Sequence, residues 1–211
     1  MTMAEFSLQG AYNWAVNMCN KPNVGYWMSS YWRNMSVKDG ITYVDCSSFM
    51  FFALGIGGGY DMSEFGFSTD WDLYPEMHGA EHFNAWVVHT MTPRLPKIGF
   101  ERIYPVPDYW LPGDILTRYN PLDGSGHTEM CYKSPRITMG AHNSSYALAQ
   151  QVSINTWNSD PSSYQYLWRY TGNIGPLPPE PPEPDPGGDP GSPDDRPKMK
   201  LWMMCKPWWK I

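Results

Sequence analysis

The chain lacks any apolar run of about 18 residues, the length a bilayer-spanning helix needs, so no transmembrane segment is expected. It also lacks a basic excess. Fifteen Lys and Arg stand against 21 Asp and Glu, a net charge of -6, which argues against nucleic acid as a partner. Residues Met1 to Gly10 carry Glu5 and no basic n-region, so a secretory signal is not expected there. Cysteine is scarce: Cys19, Cys46, Cys131 and Cys205 form no CxxC pair and no zinc-ribbon spacing. A disulfide framework is therefore not expected, and individual thiols are to be weighed for reactivity. The run Gly55-Ile56-Gly57-Gly58-Gly59 has no Lys-Ser/Thr behind it, which excludes a phosphate loop.

Aromatic residues, in contrast, are plentiful, at 16% of the chain with 11 Trp and 14 Tyr. That is ample for a core, and flat rings also suit a surface that meets sugars. Proline is abundant but uneven. Ten of the 21 prolines fall between Pro176 and Pro197, where the chain reads PLPPEPPEPDPGGDPGSPDDRP. Proline fixes φ and removes a backbone donor, so this acidic stretch is expected to be an extended linker. Three segments follow: a domain over 1–175, a linker over 176–197, and a basic aromatic tail over 198–211 (KMKLWMMCKPWWKI). Fourteen residues cannot bury a core alone. The tail reads either as a stub of a second domain or as a docking segment for a wall polymer or for self-association.

Within the first 175 residues, Phe6, Ala11, Trp14, Ala15 and Met18 fall at helical spacing and predict a helix over Ala4 to Asn20. An ordered aromatic loop is expected from Asn23 to Thr42. A short apolar helix from Cys46 to Leu54 should close at Gly55, followed by a glycine-rich connection to Gly66. A further helix is expected from Glu81 to Thr90. After Pro93 the pattern turns strand-like, over Phe100–Tyr104, Asp114–Tyr119, His127–Lys133, Arg136–Ser144, Val152–Trp157 and Tyr164–Tyr170. Helices followed by a meander of strands predict an α+β fold with an antiparallel sheet of five to six strands.

The chemistry concentrates in Tyr43-Val44-Asp45-Cys46-Ser47-Ser48 and the apolar run behind it. Asp45 is a good N-cap, which puts Cys46 in the first helical turn. There the positive end of the helix dipole favours a thiolate, and a nearby backbone N–H is placed to hold an oxyanion. The competing reading of Cys46 is a small core residue. A nucleophilic thiol needs a base. His127 follows Gly124-Ser125-Gly126 and opens a strand on which His127, Glu129 and Cys131 share one face. Folding this strand onto the next about the Ser134–Pro135 bond makes His127 and His142 direct cross-strand partners, with Cβ atoms about 5 Å apart. That is the geometry of a base and its orienting residue. A one-residue slip would turn His142 to the opposite face and leave Asn143 as the orienter.

These residues resemble a known family. Asp45-Cys46-Ser47-Ser48 before an aromatic-rich helix is similar to the nucleophile motif of NlpC-type cell-wall cysteine peptidases, closest to the amidase-5 group of phage lysins. Gly126-His127-Thr128 resembles the base motif, Ala141-His142-Asn143 the third position, and Pro112-Gly113-Asp114-Ile115-Leu116 a Gly-Asp strand opening. The resemblance runs over about residues 5–172. It implies a papain-like NlpC-type fold, with N-terminal helices packed on the antiparallel sheet. It implies hydrolysis of an amide bond in bacterial peptidoglycan, with Cys46 as nucleophile, His127 as base and His142 as orienter. Tyr26, Asp45 and Ser47 would line the substrate cleft, with a plain helix cap as the alternative for Asp45, and no metal or cofactor is implied. A phage lysin of this kind would stay in the host cytoplasm until lysis, or ride on the virion, and act on the wall. Two rivals stand beside it. His78-Gly79-Ala80-Glu81-His82 reads H-x-x-E-H, the inverted zinc-peptidase pattern, although Gly79 weakens a helix there. The aromatic content also suits a wall-binding or virion tail module without activity.

Overall fold

A computed structural model describes residues 6–28, 34–59, 95–120 and 125–172. The expected helix over 81–90, the H-x-x-E-H motif, the linker and the tail lie outside the described residues.

The first helix, α1, runs Leu8–Cys19. It starts later than the periodicity suggests because the Ser7 side chain accepts from Gly10 N at 3.0 Å and caps it there. Ala11, Ala15 and Met18 form its buried stripe. The described parts of the loop expected over Asn23 to Thr42 are mostly strand, and with Tyr43 and Val44 they make up three strands. These are β1 (Val24–Tyr26), β2 (Asn34–Lys38) and β3 (Ile41–Val44), which form a small sheet in the order β1-β3-β2. Next comes α2, Cys46–Phe52, whose seven residues are all buried.

Gly55 does not end this helix. The chain continues through a π-helical turn, Ala53–Gly57. Close packing explains the overrun. A Cβ on Gly10 would lie 2.2 Å from Gly57 O, and one on Gly57 would lie 2.6 Å from Trp14 Cβ. Two glycines thus let α1 and the turn touch backbone to backbone, and Ser7 N donates to Gly58 O at 2.8 Å.

The six strands expected after Pro93 are all present: β4 (Phe100–Ile103), β5 (Ile115–Asn120), β6 (Ser125–Lys133), β7 (Ile137–Ala141), β8 (Val152–Asn155) and β9 (Tyr166–Tyr170). They form one antiparallel sheet in the order β4-β9-β5-β6-β7-β8. A short helix, α3 (Leu148–Gln151), leads into β8. The class is therefore α+β with a mostly antiparallel sheet. No described helix is long and apolar enough to cross a membrane.

Side chains alternate across β6 and give the sheet two distinct faces. Met130 and its partner Met139 join Ile115, Ala141, Val152 and Trp168 in the main core with α1 and α2. Cys131 joins Leu116 and Leu167 in a second core, closed by Trp110 and Tyr164. Glu129 and His127 alternate with Met130 and so point with Cys131.

Candidate active site

The β6–β7 register is the one that folding about Ser134–Pro135 requires. Met130 pairs with Met139 and Cys131 with Thr138, before a bulge at the turn. Extending that register brings His127 and His142 together, and their ring centroids lie 6.4 Å apart. Between them stands a residue to which the sequence assigned no role. Glu129 is fully buried. Its Oε1 accepts from Nε2 of His127 at 2.7 Å and lies 3.1 Å from Nδ1 of His142. The side-chain amide of Asn158 also reaches this oxygen. Gly140 faces Glu129 across the ladder, and a Cβ there would stand 3.3 Å from Glu129 Cγ, so the glycine leaves room for the carboxylate.

A carboxylate this deep is tolerated because it is paired. Burial alone would raise the Glu129 pKa. The His142 charge, the hydrogen bonds from both histidines and the His127 charge outweigh burial and hold it well below the usual carboxylate range. His142 is shifted up: the Glu129 charge and hydrogen bond, with the Ser153 carbonyl, overcome its burial. The neighbouring carboxylate thus favours its charged form. His142 Nε2 lies 3.1 Å from Ser153 O and 3.0 Å from the Asn155 amide nitrogen. Trp157 N and Asn158 N donate to Asn155 Oδ1, which fixes that amide.

His127 is shifted down, chiefly by burial, with Arg118 and His142 adding like charge. It is a neutral imidazole. Because Glu129 takes the Nε2–H, the lone pair lies on Nδ1. A neutral imidazole in a fixed tautomer is the form a general base requires.

Cys46 is a buried thiol at the first position of α2. Asp45 is the N-cap. Its Oδ1 accepts from Ser48 N at 2.8 Å and from Ser47 Oγ at 3.0 Å, while Ser48 Oγ accepts from Asp45 N at 2.8 Å. This is a complete capping box that fixes the helix start. Asp45 and Ser47 are each 1% exposed, so these two side chains are committed to the cap.

The topology sets where this start lies. Tyr26 pairs with Val44 in parallel, and Tyr26 N donates to Gln151 Oε1 at 2.9 Å. Gln151 O accepts from His142 N at 2.8 Å. The strand that leads into Cys46 is thereby tied to the end of the large sheet that carries His142. Burial above all raises the pKa of the Tyr164 hydroxyl, with the Glu129 charge adding to it.

Tyr26 itself is buried in β1. Asn143 Oδ1 accepts from Ser145 N at 2.9 Å and forms a local turn apart from Glu129. Asp114 receives both forks of Arg169, at 3.0 and 2.6 Å, and caps the turn before β5. The other described thiols are poor nucleophiles: burial pushes both Cys19 and Cys131 up to about 12.

Among the described residues, His127, Glu129 and His142 also form one group able to hold a metal ion, with one donor atom from each lying within 4.8 Å of the others. No family model matches the chain, and no curated protein matches it.

Proposed function

We propose that the chain is a peptidoglycan hydrolase of the Cys–His type with a papain-like, NlpC-type arrangement, acting as a phage lysin. The observation that carries this reading is the buried His127–Glu129–His142 cluster. It supports a neutral His127 imidazole in one tautomer, and Cys46 opens a fully buried helix whose leading strand is tied through Tyr26 and Gln151 to His142. A purely structural core has little use for a carboxylate held between two histidines, and acyl transfer does.

In the proposed mechanism His127 Nδ1 takes the Cys46 thiol proton. The thiolate attacks an amide carbonyl, and the backbone N–H of Cys46 helps hold the oxyanion. The imidazolium returns its proton to the leaving amine as the C–N bond breaks. Water, deprotonated by the same imidazole, then cleaves the thioester and restores the thiol. Glu129 keeps the Nε2–H in place and stabilises the positive ring that forms. His142 compensates the carboxylate from its other side. The bond attacked is the N-acetylmuramoyl–L-alanine amide or a stem-peptide bond. The protein would act on the wall from the host cytoplasm at lysis or from the virion.

The experiment is mass spectrometry of peptidoglycan digested by the whole chain and by Cys46→Ala. New amine and carboxyl ends released by the first and not the second support the reading and identify the bond. Equal release by both, or none by either, overturns it. A second reading, a wall-binding module without activity, is favoured by the exposed rings of Tyr104, Tyr109 and Trp157. It predicts sedimentation with cell walls and no released fragments.

A further inference from the structure

We propose that His127 Nε2, the Glu129 carboxylate and His142 Nδ1 form a binding site for one zinc-class divalent cation. Two imidazole nitrogens and a carboxylate are a donor set for zinc and its neighbours, whereas calcium and magnesium favour all-oxygen shells.

Three observations support the site independently of catalysis. The first is spacing. Bonds of about 2.1 Å to a tetrahedral ion place donors roughly 3.4 Å apart. Here Oε1 lies 2.7 Å from one nitrogen and 3.1 Å from the other, with all three within 4.8 Å. Metal spacing needs the carboxylate to turn outward and the two rings to settle with their nitrogens at that same tetrahedral separation. The second is unmet bonding capacity. Among the described residues Glu129 Oε2 has no hydrogen-bond partner, and His142 Nδ1 has only the Glu129 carboxylate, 3.1 Å away, although Glu129 is fully buried and the His142 side chain is 4% exposed. A cation bound by the carboxylate gives these buried atoms a common partner. The third lies outside the donor set. His142 Nε2 is anchored on Ser153 O, the kind of second contact that aims a metal-bound imidazole and leaves its other nitrogen for the ion.

The consequence for activity rests on the hydrolase reading. A cation on His127 Nε2 displaces Glu129 from its orienting role and moves the ring proton to Nδ1. That nitrogen then cannot take the Cys46 proton, so zinc inhibits.

The test uses the whole chain and Cys46→Ala, titrated with Co2+ under its visible d–d bands and then back-titrated with Zn2+. Expected is one Co2+ per chain in both proteins, displaced by Zn2+. Binding should weaken roughly tenfold or more in His142→Ala and in Glu129→Gln, with folding checked by circular dichroism. If Glu129→Gln does not fold, His142→Asn takes its place. A double variant, His78→Ala with His82→Ala, should bind like wild type. No binding by either starting protein overturns the site. So does binding that survives at His142 and is lost with His78 and His82. If the wild type binds zinc but cleaves no wall, the functional reading fails and the metal site stands.

Discussion

The middle of the six-stranded sheet is buried on both faces, but the faces are held by different physics. Against α1 and α2 it presents Met130, Met139, Ile115, Ala141 and Trp168, an apolar layer stabilised by area removed from water. The opposite face begins as a second apolar patch around Leu116, Cys131 and Leu167, and then turns polar toward the strand ends, at Glu129, His127 and His142. There stability depends on charges meeting at about 3 Å, and a lost partner costs more than a lost methyl. The first face specifies a fold. The second moves the titration of its groups away from their ordinary values, a mark of sites that do chemistry.

Four changes break or sharpen that contrast. The largest effect belongs to the polar face. His127→Ala should lower kcat by about 10²–10⁴-fold, measured as release of soluble fragments, with the fold retained. Glu129→Gln should lower kcat and also destabilise the fold in urea unfolding, because it takes the negative partner away from two buried imidazoles. A variant with full activity would separate this face from function. On the apolar face the expected effect is on stability alone. Phe51 is fully buried in α2, and Phe51→Ala should cost about 3–5 kcal/mol while kcat per folded molecule stays near wild type. Smaller still is Gly57→Ala, where a Cβ presses on Trp14 and Gly10. It should cost about 1–3 kcal/mol.

The pH dependence sharpens the comparison further, because the two histidines carry opposite signs. The folded pKa of His127 lies below the ordinary 6.5. The unfolded chain therefore binds more protons than the folded one just below that value, and stability falls as pH drops from 6.5 through the folded pKa. The folded pKa of His142 lies above 6.5. Its contribution is complete below 6.5 and fades as pH rises through the raised value. Melting temperatures measured from about pH 5 to 8 should lose the acid-side slope in His127→Gln and the neutral-side slope in His142→Gln. Profiles that superimpose on wild type would contradict the assigned states.

Much of the large sheet was legible because its strands are bounded by turn residues and its two central strands, β5 and β6, run six and nine residues. Its one critical register followed from Ser134–Pro135, and the pairing of Met130 with Met139 agrees with it. The small sheet was not legible. Its strands span three to five residues, β2 is interrupted by a bulge after Asn34, and Met35 and Asp39 take positive φ, so no clean alternation survives. The helix overran Gly55 because tertiary contact between Gly10 and Gly57 outweighs a local stop signal.

In the site, Cys46, Asp45, His127 and His142 were readable from capping and spacing. Glu129 was visible only as a residue on the His127 face. A glutamate on a strand reads as solvent-facing until Trp110 and Tyr164 are known to cover that side. Two residues of spacing from a candidate base, on the same face, was the signal available.

The central claim is that the Cys46 thiol and the His127 imidazole act as a pair. Its most direct measure is the rate at which iodoacetamide alkylates Cys46, followed by peptide mass mapping at neutral pH in wild type and in His127→Ala. The paired account predicts that Cys46 is labelled well ahead of Cys19 and Cys131 in wild type, and that its rate falls sharply when the imidazole is removed. Equal Cys46 rates in the two proteins would contradict it.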